Sequence, residues 1–312
     1  MTWIKELPKE ECILPGTTSC IGCGAALSLR LALRILGKRT ILIIPANCTA
    51  IIQGSYPRTT FTIPVLNVAF ASSAAVASGV LAALRVRGIS NVNVVVWAGD
   101  GATADIGLSG LSSAAHRQEN MLYICYDNEG YMNTGVQESG ATPFAALTAN
   151  SPGGKRFFKK NMPLIMNDHN IPYIATANIS YAQDFIMKVR KALTYSGFKY
   201  IHLFSPCPPG WRIPANETVH IGRLAVETGA WPLFEIENGQ FQLNAPSVNL
   251  LNKEKRKPIE EYLRIQERYK QVTDEEIKII ERWIDYEWAK YSELQKPGIS
   301  PLQGQQSAGG NS

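Results

Sequence analysis

The chain has 312 residues, 45% of them hydrophobic and 18% charged, with 31 Lys+Arg against 26 Asp+Glu and a formal net charge of +5. That balance belongs to a globular protein with a large core and excludes collagen-like, mucin-like, coiled-coil and disordered chains. No apolar run reaches the roughly 20 residues that cross a bilayer, and Met-Thr-Trp-Ile-Lys-Glu-Leu-Pro at the start has no apolar signal core, so a cytoplasmic chain without a membrane partner is expected.

In chain order, Ala25–Leu36 reads as a helix and Thr40–Ile44 as a buried strand, followed by strand Pro64–Ala69 and the Ala-rich helix Ser72–Arg87, with Ser72 or Ser73 as N-cap. Strand Val92–Ala98, helix Ala104–Arg117, strand Met121–Asp127, strand Tyr173–Thr176, helix Tyr181–Tyr195 and strand Lys199–Phe204 complete the alternation. Strands this uniformly apolar are covered on both faces, which predicts an α/β fold: a doubly wound, mostly parallel sheet with ligands at the carboxyl ends of its strands.

Past Trp211 the pattern changes. Asn216–Thr228 reads as a helix, Leu233–Leu243 as a hairpin turning at Asn238-Gly239, and Pro258–Tyr269 as a helix. Thr273-Asp-Glu-Glu276 is a capping box opening a helix whose Ile277, Ile280, Ile284, Trp288 and Tyr291 share one face, read as core or subunit contact. The expected organisation is an α/β domain over residues 1–215, a C-terminal hairpin and helices over 216–296, and a flexible tail over 297–312. The basic run Lys253-Glu-Lys-Arg-Lys257 reads as a solvated linker, and nucleic acid is not an expected partner.

The strongest chemical signal is Gly99-Asp100-Gly101 at the end of one buried strand with Asn128 at the end of the next. In a parallel sheet both polar ends emerge on one edge. Mg²⁺ takes near-octahedral oxygen ligation, often from carboxylate, amide and backbone oxygens together with substrate phosphates. Asp100, Asn128 and the carbonyl of Gly130 supply such a set. Gly99 and Gly101 let the backbone approach a diphosphate, and the helix starting near Ala104 would aim free N–H groups at it. The arrangement resembles a thiamine diphosphate fingerprint. A nicotinamide fingerprint, Gly-x-Gly-x-x-Gly after the first strand, is not present.

Six cysteines do not read as a disulfide framework. Cys20-Ile-Gly-Cys23 with Cys48 and Cys207 gives four soft ligands suited to a [4Fe-4S] cluster or to tetrahedral Zn²⁺, which spacing alone does not separate. Coupling to a thiamine site that passes on single electrons favours iron and sulfur. Cys125, inside a strand, reads as core, and Cys12 has no partner at ligand spacing.

Taken together, Cys20-Ile-Gly-Cys-Gly24, Asn47-Cys48, Ala74-Ala-Val-Ala-Ser-Gly79, Gly99-Asp-Gly-Ala-Thr-Ala-Asp-Ile-Gly107, Tyr123-Ile-Cys-Tyr-Asp-Asn-Glu-Gly-Tyr-Met-Asn-Thr-Gly135, Pro206-Cys-Pro-Pro-Gly-Trp211 and Pro258-Ile-Glu-Glu-Tyr-Leu263 resemble the β subunits of 2-oxoacid:ferredoxin oxidoreductases, closest to the pyruvate type. The resemblance implies thiamine-dependent oxidative decarboxylation of a small 2-oxo acid, with electrons delivered to ferredoxin. It implies Asp100, Asn128 and Gly130 on Mg²⁺, Thr134 beside the diphosphate, Asn133 facing substrate, and Cys20, Cys23, Cys48 and Cys207 on a [4Fe-4S] cluster. A partner subunit is expected to supply the carboxylate that activates the cofactor.

Two departures bear on the substrate. Where pyruvate-type members have Gly-His before the first cysteine pair and Phe-Glu-Asn before the Ala-rich helix, this chain has Gly16-Thr17 and Phe70-Ala71-Ser72. Loss of a carboxylate relieves repulsion of a dianion, which places oxalate beside pyruvate as a substrate. The competing readings are a non-redox thiamine lyase or synthase with structural zinc, and an electron-transfer module without catalysis.

Overall fold

A computed structural model describes residues 5, 7–55 and 57–296. The tail expected over 297–312 lies outside the described residues. The chain runs α1 (Gly24–Leu36), β1 (Thr40–Pro45), α2 (Cys48–Ile52), β2 (Val65–Val68), α3 (Ser73–Val86), β3 (Asn93–Gly99), α4 (Leu108–His116), β4 (Leu122–Asp127), α5 (Met162–Asn167), β5 (Tyr173–Asn178), α6 (Ala182–Ala192) and β6 (Lys199–Phe204). Then follow α7 (Pro208–Trp211), α8 (Thr218–Glu227), β7 (Phe234–Glu237), β8 (Gln240–Leu243), α9 (Ile259–Leu263) and α10 (Asp274–Leu294).

Eight strands form one sheet in the order β2-β1-β3-β4-β6-β5-β7-β8. The first six are parallel; β7 runs antiparallel to β5 and pairs with β8. The C-terminal hairpin, turning through Asn238 and Gly239 at positive φ, thus continues the sheet. Successive residues of β3 point to opposite faces: Val94, Val96 and Ala98 join one core, Val95 and Trp97 the other. Leu29 and Leu33 of α1 with Phe185 and Val189 of α6 cover one face, and Leu111 of α4 with Ala74 and Ala77 of α3 cover the other.

Local chemistry departs from expectation at three places. Ser72 stands at the N-cap of α3, but its hydroxyl donates back to Ala69 O at 3.1 Å and makes no capping bond. The helix expected over Pro258–Tyr269 breaks after Leu263 and resumes as a single turn at Glu267–Tyr269, because Arg268 turns inward to a buried carboxylate. The helix expected from Ala104 begins at Gly101 as one wide turn, Gly101–Asp105, with Ile106 N donating to Gly101 O, before α4 takes over. The capping box at Thr273 and Glu276 forms as read, and Ile277, Ile284, Trp288 and Tyr291 face the core.

Candidate active site

The connection after β1 goes to one side of the sheet and the connection after β2 crosses back to the other, so the strand order reverses between β1 and β3. Ligands of open α/β sheets bind at such a point, outside the carboxyl ends of the strands. Here a cavity of about 180 Å³ opens there, lined by residues from the ends of β1, β3 and β4: Asn47 and Cys48, Gly99 to Ala102, Tyr126, Asn128, and the loop Gly130–Thr134. Every residue named from the sequence for the metal and diphosphate lies on its wall.

Asp100 is buried, 1% exposed, and its Oδ2 accepts the Ser139 hydroxyl at 2.5 Å. Oδ1 faces the cavity side of Asn128. The Asn128 amide lies between Gly130 O and Asp100 Oδ1, its NH₂ placed to donate to each at 3.0 Å. With the amide rotated to present its oxygen, Asn128 would complete a three-oxygen set with the Gly130 carbonyl and the Asp100 carboxylate. Metal–oxygen distances of 2.0–2.1 Å in an octahedron put neighbouring ligand oxygens about 3.0 Å apart. The donor set fits Mg²⁺ in chemistry and in spacing.

The charges around this point sort the same way. Asp105 pairs with Lys160 at 2.9 Å, Glu129 with Lys159 at 3.0 Å and with Arg268 at 2.6 Å, Asp127 with Lys159 at 3.4 Å, and Glu138 lies 3.9 Å from Lys155. Among the described residues Asp100 has no cationic partner. Burial first, and then the charge of Asp127, push its carboxyl well above the usual range. Burial would do the same to Asp127, but Lys159 and the hydrogen bond to His202 hold that carboxyl below it. One carboxylate at this edge is thus left for an added cation.

The loop after β4 is held by backbone anchors. Asp127 Oδ1 accepts Glu129 N at 2.8 Å, and Glu129 sits at φ +65 with its carbonyl bonded by the Thr142 hydroxyl. A Cβ on Gly101 would lie 2.2 Å from the Tyr131 ring, whose hydroxyl reaches Gly101 O and Asp105. Gly101 therefore makes room for Tyr131, while a Cβ on Gly99 would meet only ordinary contacts. The wide turn places Gly101 and Ala102, rather than Ala104, first in the helical run beside the cavity. Asn133 and Thr134 are exposed on its rim, Thr134 donating to Gln137 at 2.6 Å.

The four cysteines come from three segments on the same edge. Cys23 caps α1, its sulfur accepting Ala26 N at 3.4 Å; Cys48 opens α2 after Asn47 caps it; Cys207 precedes α7. Gly24 N bonds Pro206 O, which joins the first and last of these segments. Burial, and then charge on Cys23 and Cys20, push the Cys48 thiol up to about 12; Cys207 is likewise pushed up to about 12, by burial and then by Cys48, Cys23 and Cys20. The thiols are neighbours, but among the described residues no three His, Cys, Asp or Glu side chains form a ready-made ligand cage. Cys125 is fully buried in β4, as expected.

Several residues at the site carry no local sequence signal. Lys155 donates to Ser139 O at 2.8 Å, behind Asp100, and Lys159 and Lys160 neutralise its acidic neighbours. Trp211 Nε1 donates to Asn128 O at 2.9 Å, and Arg268 stacks on that indole at 3.8 Å. Lysines in a loop flag nothing by themselves. Only Trp211, inside the Pro206–Trp211 motif, had a signal that could have drawn attention.

Residues 47–203 match the family described as thiamine pyrophosphate enzyme, C-terminal TPP binding domain. Pyruvate synthase subunit PorB of Methanothermobacter marburgensis is 51% identical over 285 residues, covering 90% of this chain and 97% of that protein. Ketoisovalerate oxidoreductase subunit VorB of Pyrococcus abyssi is 47% identical over 298 residues, covering 92% and 94%. A solved 2-oxoglutarate:ferredoxin oxidoreductase from Magnetococcus marinus superposes with TM-score 0.55 at 23% identity over 70% of this chain and 79% of that one, a likeness of fold. No helix of the described residues is long and apolar enough to cross a membrane. The chain belongs to the β subunits of the thiamine diphosphate-dependent 2-oxoacid:ferredoxin oxidoreductases, enzymes that work as hetero-oligomeric complexes.

Proposed function

We propose that this chain, assembled with its partner subunits, binds thiamine diphosphate through Mg²⁺ and serves the oxidative decarboxylation of pyruvate, or a closely similar 2-oxo acid, with electrons leaving through a [4Fe-4S] cluster to ferredoxin. The observation that carries this reading is the gathering of the Asp100 carboxyl, the Asn128 amide and the Gly130 carbonyl on one cavity wall at the strand-order switch. When bound, thiamine diphosphate supplies a nucleophilic carbon and an electron sink.

The chain's own residues position and insulate. Asp100, Asn128 and Gly130 would hold the cation, with Ser139 fixing the second oxygen of Asp100. Phe70, Tyr126 and Met132 line the cavity and keep water from it, and Asn133 and Thr134 stand at the rim where substrate and diphosphate would be met. Cys20, Cys23, Cys48 and Cys207 would bind iron only as thiolates, so burial makes cluster insertion a proton-releasing step. The carboxylates around the cavity other than Asp100 are ion-paired. The carboxylate that activates the cofactor is therefore assigned to a partner subunit, and the isolated chain to inactivity.

Thr17 and Ala71 do not line the cavity, whereas Phe70 does. The missing charges at those positions therefore do not face a bound substrate, and pyruvate rather than oxalate is the substrate proposed. The test is analysis of the purified complex for acid-released thiamine diphosphate, magnesium, iron and zinc, with viologen reduction on pyruvate, ketoisovalerate and oxalate. Thiamine diphosphate with iron and turnover of pyruvate is expected. Zinc in place of iron, or no released cofactor, overturns the reading; turnover of oxalate alone overturns the substrate.

A further inference from the structure

We infer that Trp211 is a positioning residue for the metal-binding loop, acting with Arg268 to fix the Asn128–Glu129 peptide; the inference rests on the function proposed above. Trp211 is fully buried one helical turn after Cys207, whose carbonyl accepts its backbone N–H at 2.9 Å. Its indole N–H donates to Asn128 O at 2.9 Å. Arg268 lies 3.8 Å over the same ring, donates to Glu129 Oε2 at 2.6 Å, and is itself oriented by Gln266 Oε1 at 2.8 Å.

The peptide between Asn128 and Glu129 leads into a residue at φ +65, a conformation that persists only where its surroundings enforce it. The other anchors hold Glu129 and not the Asn128 carbonyl: Asp127 accepts Glu129 N, Thr142 donates to Glu129 O, and Lys159 pairs with the Glu129 carboxylate. With the Asn128 carbonyl released, the peptide is free to rotate and the Asn128 amide loses its aim at Asp100. Cys207 is the N-cap of the same four-residue turn, so the indole also sets the metal loop in register with the thiol edge.

Trp288 provides a matched control. It is buried, its Nε1 donates to Gly229 O at 2.8 Å, and Arg256 lies 4.6 Å over its ring, but it belongs to α10 and takes no part in the site. Trp211→Phe and Trp288→Phe delete the same kind of bond. Mg²⁺-dependent retention of thiamine diphosphate by the assembled complex is measured by equilibrium dialysis, beside thermal unfolding. Trp211→Phe is expected to weaken Mg²⁺ binding by about tenfold or more, in the range seen when residues that orient metal ligands are removed, while Trp288→Phe lowers thermal stability without this loss. Arg268→Lys, which keeps the charge on Glu129 and loses the stacked plane, is expected to shift affinity in the same direction and gives an independent reading. Equal affinity of Trp211→Phe and Trp288→Phe overturns the inference alone. No Mg²⁺-dependent retention in the wild-type complex overturns the proposed function and this inference with it.

Discussion

The Ser139 hydroxyl donates to Asp100 Oδ2, and Ser139→Ala tests the electrostatics of the site. A hydrogen bond to a charged group contributes about 1.5–3 kcal/mol, and this one is short, 2.5 Å, and buried. It acts against burial and the Asp127 charge, which push the Asp100 carboxyl up. Removing it makes ionisation harder still, so Mg²⁺ must displace a more firmly held proton. At about 1.4 kcal/mol per factor of ten, the apparent Mg²⁺ dissociation constant should rise roughly 10- to 100-fold. The sign with pH follows: affinity for Mg²⁺ increases as pH rises toward the carboxyl's elevated folded value, and the variant needs a higher pH than wild type to reach the same affinity. Calorimetric titration of Mg²⁺ with saturating thiamine diphosphate, at several pH values, reads both effects. An unchanged constant and an unchanged pH profile would refute the assignment of Asp100 as the metal carboxylate.

Gly101→Ala should cost about 1–3 kcal/mol by overpacking, since the added Cβ meets the Tyr131 ring at 2.2 Å; urea unfolding measures it, and Tyr131→Ala in the same chain should recover most of it. Cys48→Ala should lose cluster iron yet keep thiamine diphosphate, because Cys48 lines the cavity but donates no oxygen to the metal set; iron retained in full would remove Cys48 from the ligand group. Thr273→Ala should lower stability by about 1 kcal/mol through loss of the capping box, with cofactor binding untouched, as thermal denaturation with and without Mg²⁺ and thiamine diphosphate would reveal.

Five of the six parallel strands were legible because each is a short apolar run with a Gly, Asn or Pro at or just past its end, which the exposed edge strand β2 lacks, and the Asp100–Asn128 pairing because parallel register brings both strand ends to one edge. What compensates the charges there was not. Arg268 meets Glu129 across 139 positions of sequence, and Lys155, Lys159 and Lys160 look like an ordinary basic loop until folded. Ion pairs between distant segments leave no period and no local motif. The broken helix near residue 264 has the same origin: local propensity favoured continuation, and a buried carboxylate elsewhere required Arg268 to face inward. The wide turn at Gly101–Asp105 differs from an ordinary helix start by one residue of hydrogen-bond span, a difference helical periodicity does not register.

Leaving Asp100 without a counter-ion has a consequence beyond the chemistry at the cavity. A buried carboxyl that no described side chain neutralises, and that keeps its proton until a cation arrives, means the empty protein and the loaded one differ in thermodynamic footing, and the difference grows with ligand concentration over its dissociation constant. On the function proposed above, that ligand is the magnesium-bound cofactor, and its shortage would lower the abundance of this subunit through proteolysis as well as its turnover.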